Sequence, residues 1–314
     1  MPPLAQGHRA PRRMIRLAFF SLLLAVASPA ADSAPRVLLL DGTVAGSTIV
    51  VVGERGAIFR SADNALTWQA GVSRETATLT GVTFAPDATH GWAVGHDALI
   101  LATSDAGRTW QKQWQGESLA DSFLDVLALD AQHIIAVGAY GLCLASTDGG
   151  KSWARRKVLD EDYHFNRLSR GPTGTLYLAG ENGTLLRSND SGATWGRIPA
   201  AYAGSFYGII PLDAHTLLAH GLRGHVFRSV DDGTTWTLVA TPQPVLLATA
   251  IKLKSNLLIL GGHARAVLLS RDHGTTVTAW NTSLTTAVAE LLEIPDGRIL
   301  ALGESGATLL PPPR

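Results

Sequence analysis

A single unit recurs along this chain at an almost fixed interval, and no other feature narrows the possible folds so far. It reads VGERGAIFRSADNALTW from Val52, VGHDALILATSDAGRTW from Val94, VGAYGLCLASTDGGKSW from Val137 and AGENGTLLRSNDSGATW from Ala179. It continues as HGLRGHVFRSVDDGTTW from His220 and GGHARAVLLSRDHGTTV from Gly261, and stops short as LGESGATLLPPPR from Leu302. One glycine aligns the copies, at Gly53, Gly95, Gly138, Gly180, Gly221, Gly262 and Gly303, with spacings of 42, 43, 42, 41, 41 and 41 residues. Self-similarity at such a period means that each copy is one supersecondary unit that buries its apolar faces against its neighbours.

Each unit parses into four short strands. In the second these are LTGVTFA, GWAVG, LILAT and TWQKQW, joined by turns of Gly, Asp and Pro. Four strands in 41 to 43 residues make one blade of a β-propeller, so seven copies predict an all-β, seven-bladed propeller. Radial closure follows because an open ring would expose the apolar face of a terminal blade. The last copy ends after its third strand, before PPPR, and RVLLLDG near residue 40 aligns with a first strand. Blade seven is therefore expected to have three strands rather than to borrow one. The composition agrees: 32 glycines, two methionines and 46% hydrophobic residues suit a large β core. Acidic and basic residues balance at 26 each, which gives no nucleic-acid signature and requires any basic patch to be local.

The start of the chain has a different character. Arg9, Arg12, Arg13 and Arg16 precede a mainly apolar run over residues 17–27, and SPAADSA offers small residues for cleavage after Ala30 or Ala31. This predicts a signal peptide over residues 1–30, ahead of one propeller domain over residues 34–314, and export to a periplasm or a thylakoid-lumen-like compartment. The apolar run is too short for a stable membrane span. Arg12 and Arg13 fit a twin-arginine signal poorly, and Met14 is an alternative start. The single cysteine, Cys143, allows no disulfide within the chain and no cysteine-rich metal site. It reads as a small buried hydrophobe rather than a reactive thiol.

The segment between the third and fourth strands follows the pattern Ser/Thr-x-Asp-x-Gly-x-Thr/Ser-Trp. The carboxylates of Asp63, Asp105, Asp148, Asp190, Asp231 and Asp272 are placed to accept hydrogen bonds within a turn. Trp68, Trp110, Trp153, Trp195 and Trp236 are placed to wedge between blades. One feature repeated in six blades is turn chemistry, since an active site needs different groups converging once. Ala65 stands for the glycine in blade one and Val277 for the tryptophan in blade six, and those two turns are expected to be the weakest.

Function is therefore sought on the opposite face, formed by the turns from strand two to three and the connections between blades. The candidate binding residues there are Arg55, His96, Tyr140, Asp162, Tyr163, His164, Asn166, Phe206, Tyr207, Arg223 and Arg265. The segment DEDYHFN, residues 160–166, is the densest polar cluster and enters the innermost strand of blade four. Its bland alternative is a solvated loop whose aromatic residues pack on blade three. A metal site from His164, His225 and His263 has no ligand-like spacing behind it. No catalytic residue, metal or cofactor is expected.

The turn pattern resembles the Asp-box, or BNR repeat, of sialidases and of several non-enzymatic propellers. That resemblance implies boxes on the outer rim, away from any ligand. A sialidase would need three arginines for the substrate carboxylate, a Tyr and Glu nucleophile pair and an Asp acid. The Arg-Ile-Pro type segment that such enzymes carry near their start is missing, and their propellers have six blades. Taken together, GWAVG and VVVGERG, each followed by a strand and S-x-D-x-G-x-T-W, resemble the photosystem II stability and assembly-factor family over nearly all of residues 34–310. The resemblance implies a monomeric, non-enzymatic propeller that binds a membrane protein or membrane-complex subunit during assembly through a basic patch, to which Arg55, Arg223 and Arg265 could contribute. The alternative is a BNR-repeat glycoside hydrolase or carbohydrate-binding propeller.

Overall fold

The second strand of every repeat is apolar without alternation because both of its faces are covered. Thr48–Gly53, Gly91–Gly95, Ile134–Gly138, Leu176–Gly180, Leu217–Gly221, Leu258–Gly262 and Ile299–Gly303 are buried at every position. The computed structural model describes residues 1–3, 34–118 and 120–313. Apart from its first three residues, the expected export signal lies outside the described residues. Every element discussed below belongs to the compact unit of residues 31–314.

The strands form six four-stranded antiparallel sheets and one three-stranded sheet, each from a contiguous stretch of chain. The three-stranded sheet, Val288–Glu293, Ile299–Gly303 and Gly306–Leu310, is the seventh blade. Between the blades lie seven apolar clusters, one for each interface of the ring. The seam between blades seven and one is filled by Leu39, Ile49, Val51 and Trp68 against Ile294, Leu300 and Leu302. Among the described residues no strand is exchanged across this seam. It is held by packing, by the Ala307 N–H donating to the Pro35 carbonyl at 3.3 Å, and by Arg298 Nη2 donating to the Asn64 carbonyl at 2.9 Å.

The aligned glycine has a steric cause. A Cβ at Gly53 would sit 2.0 Å from the Leu38 carbonyl oxygen, and one at Gly138 would sit 2.1 Å from that of Ser122. All seven positions meet such a carbonyl, that of the residue leading into the innermost strand. The close approach accompanies a β-bulge in each innermost strand, where one extra residue is pushed out of register.

The Asp-boxes are built as the pattern demands. In each, the Asp Oδ1 accepts from the preceding Ser or Thr hydroxyl at 2.7–2.9 Å and from the amide four residues on at 2.8–2.9 Å. Its Oδ2 accepts from the hydroxyl of that same later residue at 2.5–2.6 Å. These bonds hold the carboxylates of Asp148, Asp190, Asp231 and Asp272 down at about 2. The two irregular turns keep the full set. Ala65 adopts the left-handed conformation, φ 63°, that glycine takes elsewhere, at a cost of roughly 1–2 kcal/mol. Val277 is buried in the core between blades five and six, the slot its tryptophan counterparts occupy elsewhere.

Candidate functional site

The bulges determine what faces the axis. The extra residues are Leu40, Thr80, Leu124, Asn166, Tyr207, Ala248 and Ala289. All seven line one cavity of about 310 Å³ at the channel mouth, on the face opposite the Asp-boxes. His263 and Glu304, from the turns between strands two and three, reach its rim. Thr80 Oγ1 donates to the Phe123 carbonyl at 2.9 Å and Asn166 Nδ2 to the Phe206 carbonyl at 2.7 Å. The polar members of the ring thus direct these donors to the next blade's backbone.

The next residue of each innermost strand forms a second ring beneath the first: Asp41, Gly81, Asp125, Arg167, Gly208, Thr249 and Glu290. Arg167 reaches from blade four to three carboxylates. Its Nη1 donates to Asp41 Oδ1 at 3.3 Å and lies 4.0 Å from Asp125 Oδ1, while Nη2 donates to Glu290 Oε2. The carboxylates are 5%, 6% and 8% exposed, and the arginine is 27% exposed. Each carboxylate is tied down separately as well. Asp41 accepts the Val82 amide at 2.7 Å, Asp125 accepts the Val126 and Leu168 amides, and Glu290 accepts the Thr249 hydroxyl and the Leu291 amide.

Three acids face one base here, and burial dominates the titration of Asp41 and Asp125. It pushes Asp41 up to about 8 against the opposing pull of Arg167, and it raises Asp125 as well. For Arg167, burial favours the neutral form, but the three carboxylates outweigh it and hold the guanidinium above its ordinary range. A smaller cavity of about 180 Å³ lies on the other side of Arg167, bordered also by His220, Thr249 and Glu290. Burial lowers His220 to about 4, so its neutral ring donates from Nδ1 to the Leu247 carbonyl at 3.0 Å. Gly208 is required opposite it, because a Cβ there would sit 2.3 Å from His220 Nε2.

The residues expected on the binding face divide into three sets. Arg55, His96, Tyr140, Arg223 and Arg265 are exposed on the turns between strands two and three. Arg55, Arg223 and Arg265 stand on blades one, five and six, so they flank the mouth from separate blades. Asp162, Tyr163 and His164 belong to a connection tied to both of its blades. The Tyr163 carbonyl accepts from the Gly141 amide at 2.9 Å, the His164 ring meets Tyr140 edge-on at 4.7 Å, and His164 Nδ1 lies 3.4 Å from Glu181 Oε1. Nearby, Glu161 pairs with Arg197 and Asp160 with Lys157, each at 2.7 Å. Asn166 and Tyr207 line the mouth itself.

Phe206 corrects the expectation. It is 1% exposed in the core between blades four and five, where its ring packs edge-on against Tyr202 and Phe227. The bulge turns Tyr207 to the axis and Phe206 away from it. His225 likewise packs against Tyr202, with ring centroids 4.3 Å apart. Among the described residues no three His, Cys, Asp or Glu side chains form a group able to hold a metal ion. The axial cluster of Arg167, Asp41, Asp125 and Glu290 was not anticipated. Its signal is present in the sequence: all four residues fall 12 or 13 positions before an aligned glycine.

Fold and site together define a class, a seven-bladed Asp-box propeller with a varied loop face around an axial cavity. Within it, residues 111–245, from the fourth strand of blade two to the end of blade five, match the family model described as Photosynthesis system II assembly factor YCF48. Among solved structures the chain resembles one described as YCF48 bound to D1 peptide, with a TM-score of 0.72, 20% identity and coverage of 90% of this chain and 96% of that one. It also resembles YCF48 from Cyanidioschyzon merolae, with a TM-score of 0.72, 16% identity and coverage of 90% and 99%. The WD40 β-propeller domain of Doa1 aligns with a TM-score of 0.69, 10% identity and coverage of 89% and 94%. At these identities the three likenesses establish the fold. No curated protein matches the sequence.

Proposed function

We propose that this chain is an exported, non-enzymatic propeller that binds a membrane protein or membrane-complex subunit as an assembly or stability factor, acting as a monomer in a periplasm or lumen-like compartment. The observation that carries the reading is the family match over residues 111–245, a stretch that includes the DEDYHFN connection, Asn166, Tyr207 and Arg223. The solved relative with a bound D1 peptide supports a protein ligand for a propeller of this shape. The arrangement of the face supports it too. A rigid ring holds seven different loops around one opening, so specificity can reside in loops without disturbing the core.

The test is a pull-down from the source organism's membranes with purified full-length protein and with a Tyr140→Ala/Arg223→Ala double variant. Recovery of a membrane protein by the first and its loss with the second is the expected result. Turnover of sialosides that is lost on substituting Arg55 or Arg223 would overturn the reading, as would glycan binding with no recovered protein partner.

A further inference from the structure

We propose that the channel mouth is an anchor pocket for one aromatic side chain of a partner polypeptide, which stacks on the flat face of the Arg167 guanidinium. The inference deepens the protein-binding reading above and rests on it only in assigning the ring to a partner chain.

The orientation of the guanidinium carries the argument. Its hydrogen-bond acceptors lie close to its own plane, and those acceptors belong to Asp41 and Glu290, with Asp125 beside them. Both partners and Asp125 occupy the same position in their innermost strands as Arg167 does in its own, one residue past the bulge. The four side chains therefore stand at one level of the channel. The guanidinium plane lies across the axis, and its two faces look along it. Arg167 accordingly borders the cavity above and the cavity below.

What enters from the mouth meets a cation through its face. The walls above are mainly aliphatic, with Leu38, Leu40, Leu124, Leu246, Ala248 and Ala289. An aromatic ring suits both features, since its electron-rich face is attracted to a guanidinium and its body to apolar walls. A carboxylate would approach a site where acids outnumber the base by three to one. An alkylammonium would meet the guanidinium as its nearest charge. The cavity of about 310 Å³, worth roughly ten waters at ~30 Å³ each, suits one side chain rather than a folded segment.

Ligand-observed NMR on the full chain tests this with N-acetyl-tryptophanamide, N-acetyl-phenylalaninamide, N-acetyl-leucinamide and N-acetyl-lysinamide as probes. The aromatic amides should bind about three- to tenfold more tightly than the leucine amide. Ala289→Phe, which puts the protein's own ring at the mouth from a half-exposed position, should abolish their binding. Equal affinity for leucine and aromatic amides, preference for the lysine amide, or undiminished binding to the Ala289→Phe protein would each overturn the proposal. The two readings fail separately. A client captured equally by wild type and Ala289→Phe refutes the anchor alone, whereas aromatic binding without any captured client refutes the assembly-factor role alone.

Discussion

Replacing Asp41 by Asn should change the sign of its effect on stability within the physiological pH range. In the fold the carboxyl is pushed up to about 8 by burial, from 3.8 when unperturbed. Between those values the native protein holds a proton that the unfolded chain releases, so stability falls as pH rises from about 4 towards 8. The slope is about 1.4 kcal/mol per pH unit, and over the interval the loss reaches at most about 5 kcal/mol. Asn removes this titration. Its amide oxygen can still accept the Val82 N–H, which now bonds Asp41 at 2.7 Å, but its NH2 group then faces Arg167 Nη1. Losing that charge-assisted bond costs about 2 kcal/mol.

The two contributions oppose each other differently at each pH. Near pH 4.5 the lost bond prevails and the Asn protein should be less stable by about 1 kcal/mol. At pH 8 relief of the buried charge prevails and it should be more stable by about 3 kcal/mol. The curves should cross between pH 5 and 6. Guanidinium denaturation of both proteins from pH 4.5 to 8.5, with unchanged m values, reads the difference directly. A difference that is flat across this range, or that grows less favourable to Asn as pH rises, would refute the reasoning.

Other features of the ring make further predictions. Arg167→Met leaves three buried carboxyl groups without the cation they face and should cost about 3–5 kcal/mol; hydrogen exchange should rise most at the seam, in Leu39–Ala45 and Gly306–Leu310, and a uniform rise would count against a role in closure. Asp190→Ala should lower the thermal midpoint at pH 7 but lose its effect towards pH 2, because box carboxylates depressed to about 2 stabilise only above that range; a midpoint difference that persists at pH 2 would exclude the carboxylate as its cause. The Cys143 thiol, pushed up to about 12 by burial, should react with a disulfide reagent at pH 8 on the order of a thousandfold more slowly in the native protein than in denaturant, and rapid native labelling would contradict this. Gly138→Ala, whose Cβ would lie 2.1 Å from the Ser122 carbonyl oxygen, should cost about 3 kcal/mol or more; Gly174→Ala, which meets nothing within 4 Å at φ 88°, should cost only about 1–2 kcal/mol. Equal losses in denaturant midpoint would remove the steric explanation of the aligned glycine.

Much of this molecule was legible because its repeats encode local structure. The glycine spacing predicts the blade number, and the Ser-x-Asp-x-Gly-x-Thr-Trp pattern predicts a turn whose bonds span at most four residues. The axial cluster was harder to see because its partners are remote: Arg167 lies 126 residues from Asp41 and 123 from Glu290. Only alignment within the repeat puts them at one level. The error at Phe206 has a related cause. Alternation along a strand says that Phe206 and Tyr207 face opposite ways, but the bulge decides which of them faces the axis. That decision can be recovered by alignment, since Tyr207 shares its repeat position with Leu40, Thr80 and Leu124.

A sevenfold repeat could not be extended to the axis itself. Seven identical side chains there would be either seven like charges or seven competing large residues, so this ring must break the symmetry that organises the rest. Gly81 and Gly208 in blades two and five contribute no side chain at this level, and Thr249 in blade six supports Glu290. The long side chain of Arg167 then reaches Asp41 of blade one and Glu290 of blade seven. These are the first and last blades of the described ring, which meet at the seam through packing and a few hydrogen bonds. One arginine thus links both sides of the seam from across the channel, while its remaining face is left towards the mouth. Ring closure and a ligand anchor are compatible in a single residue because a guanidinium bonds through its edge and stacks through its face.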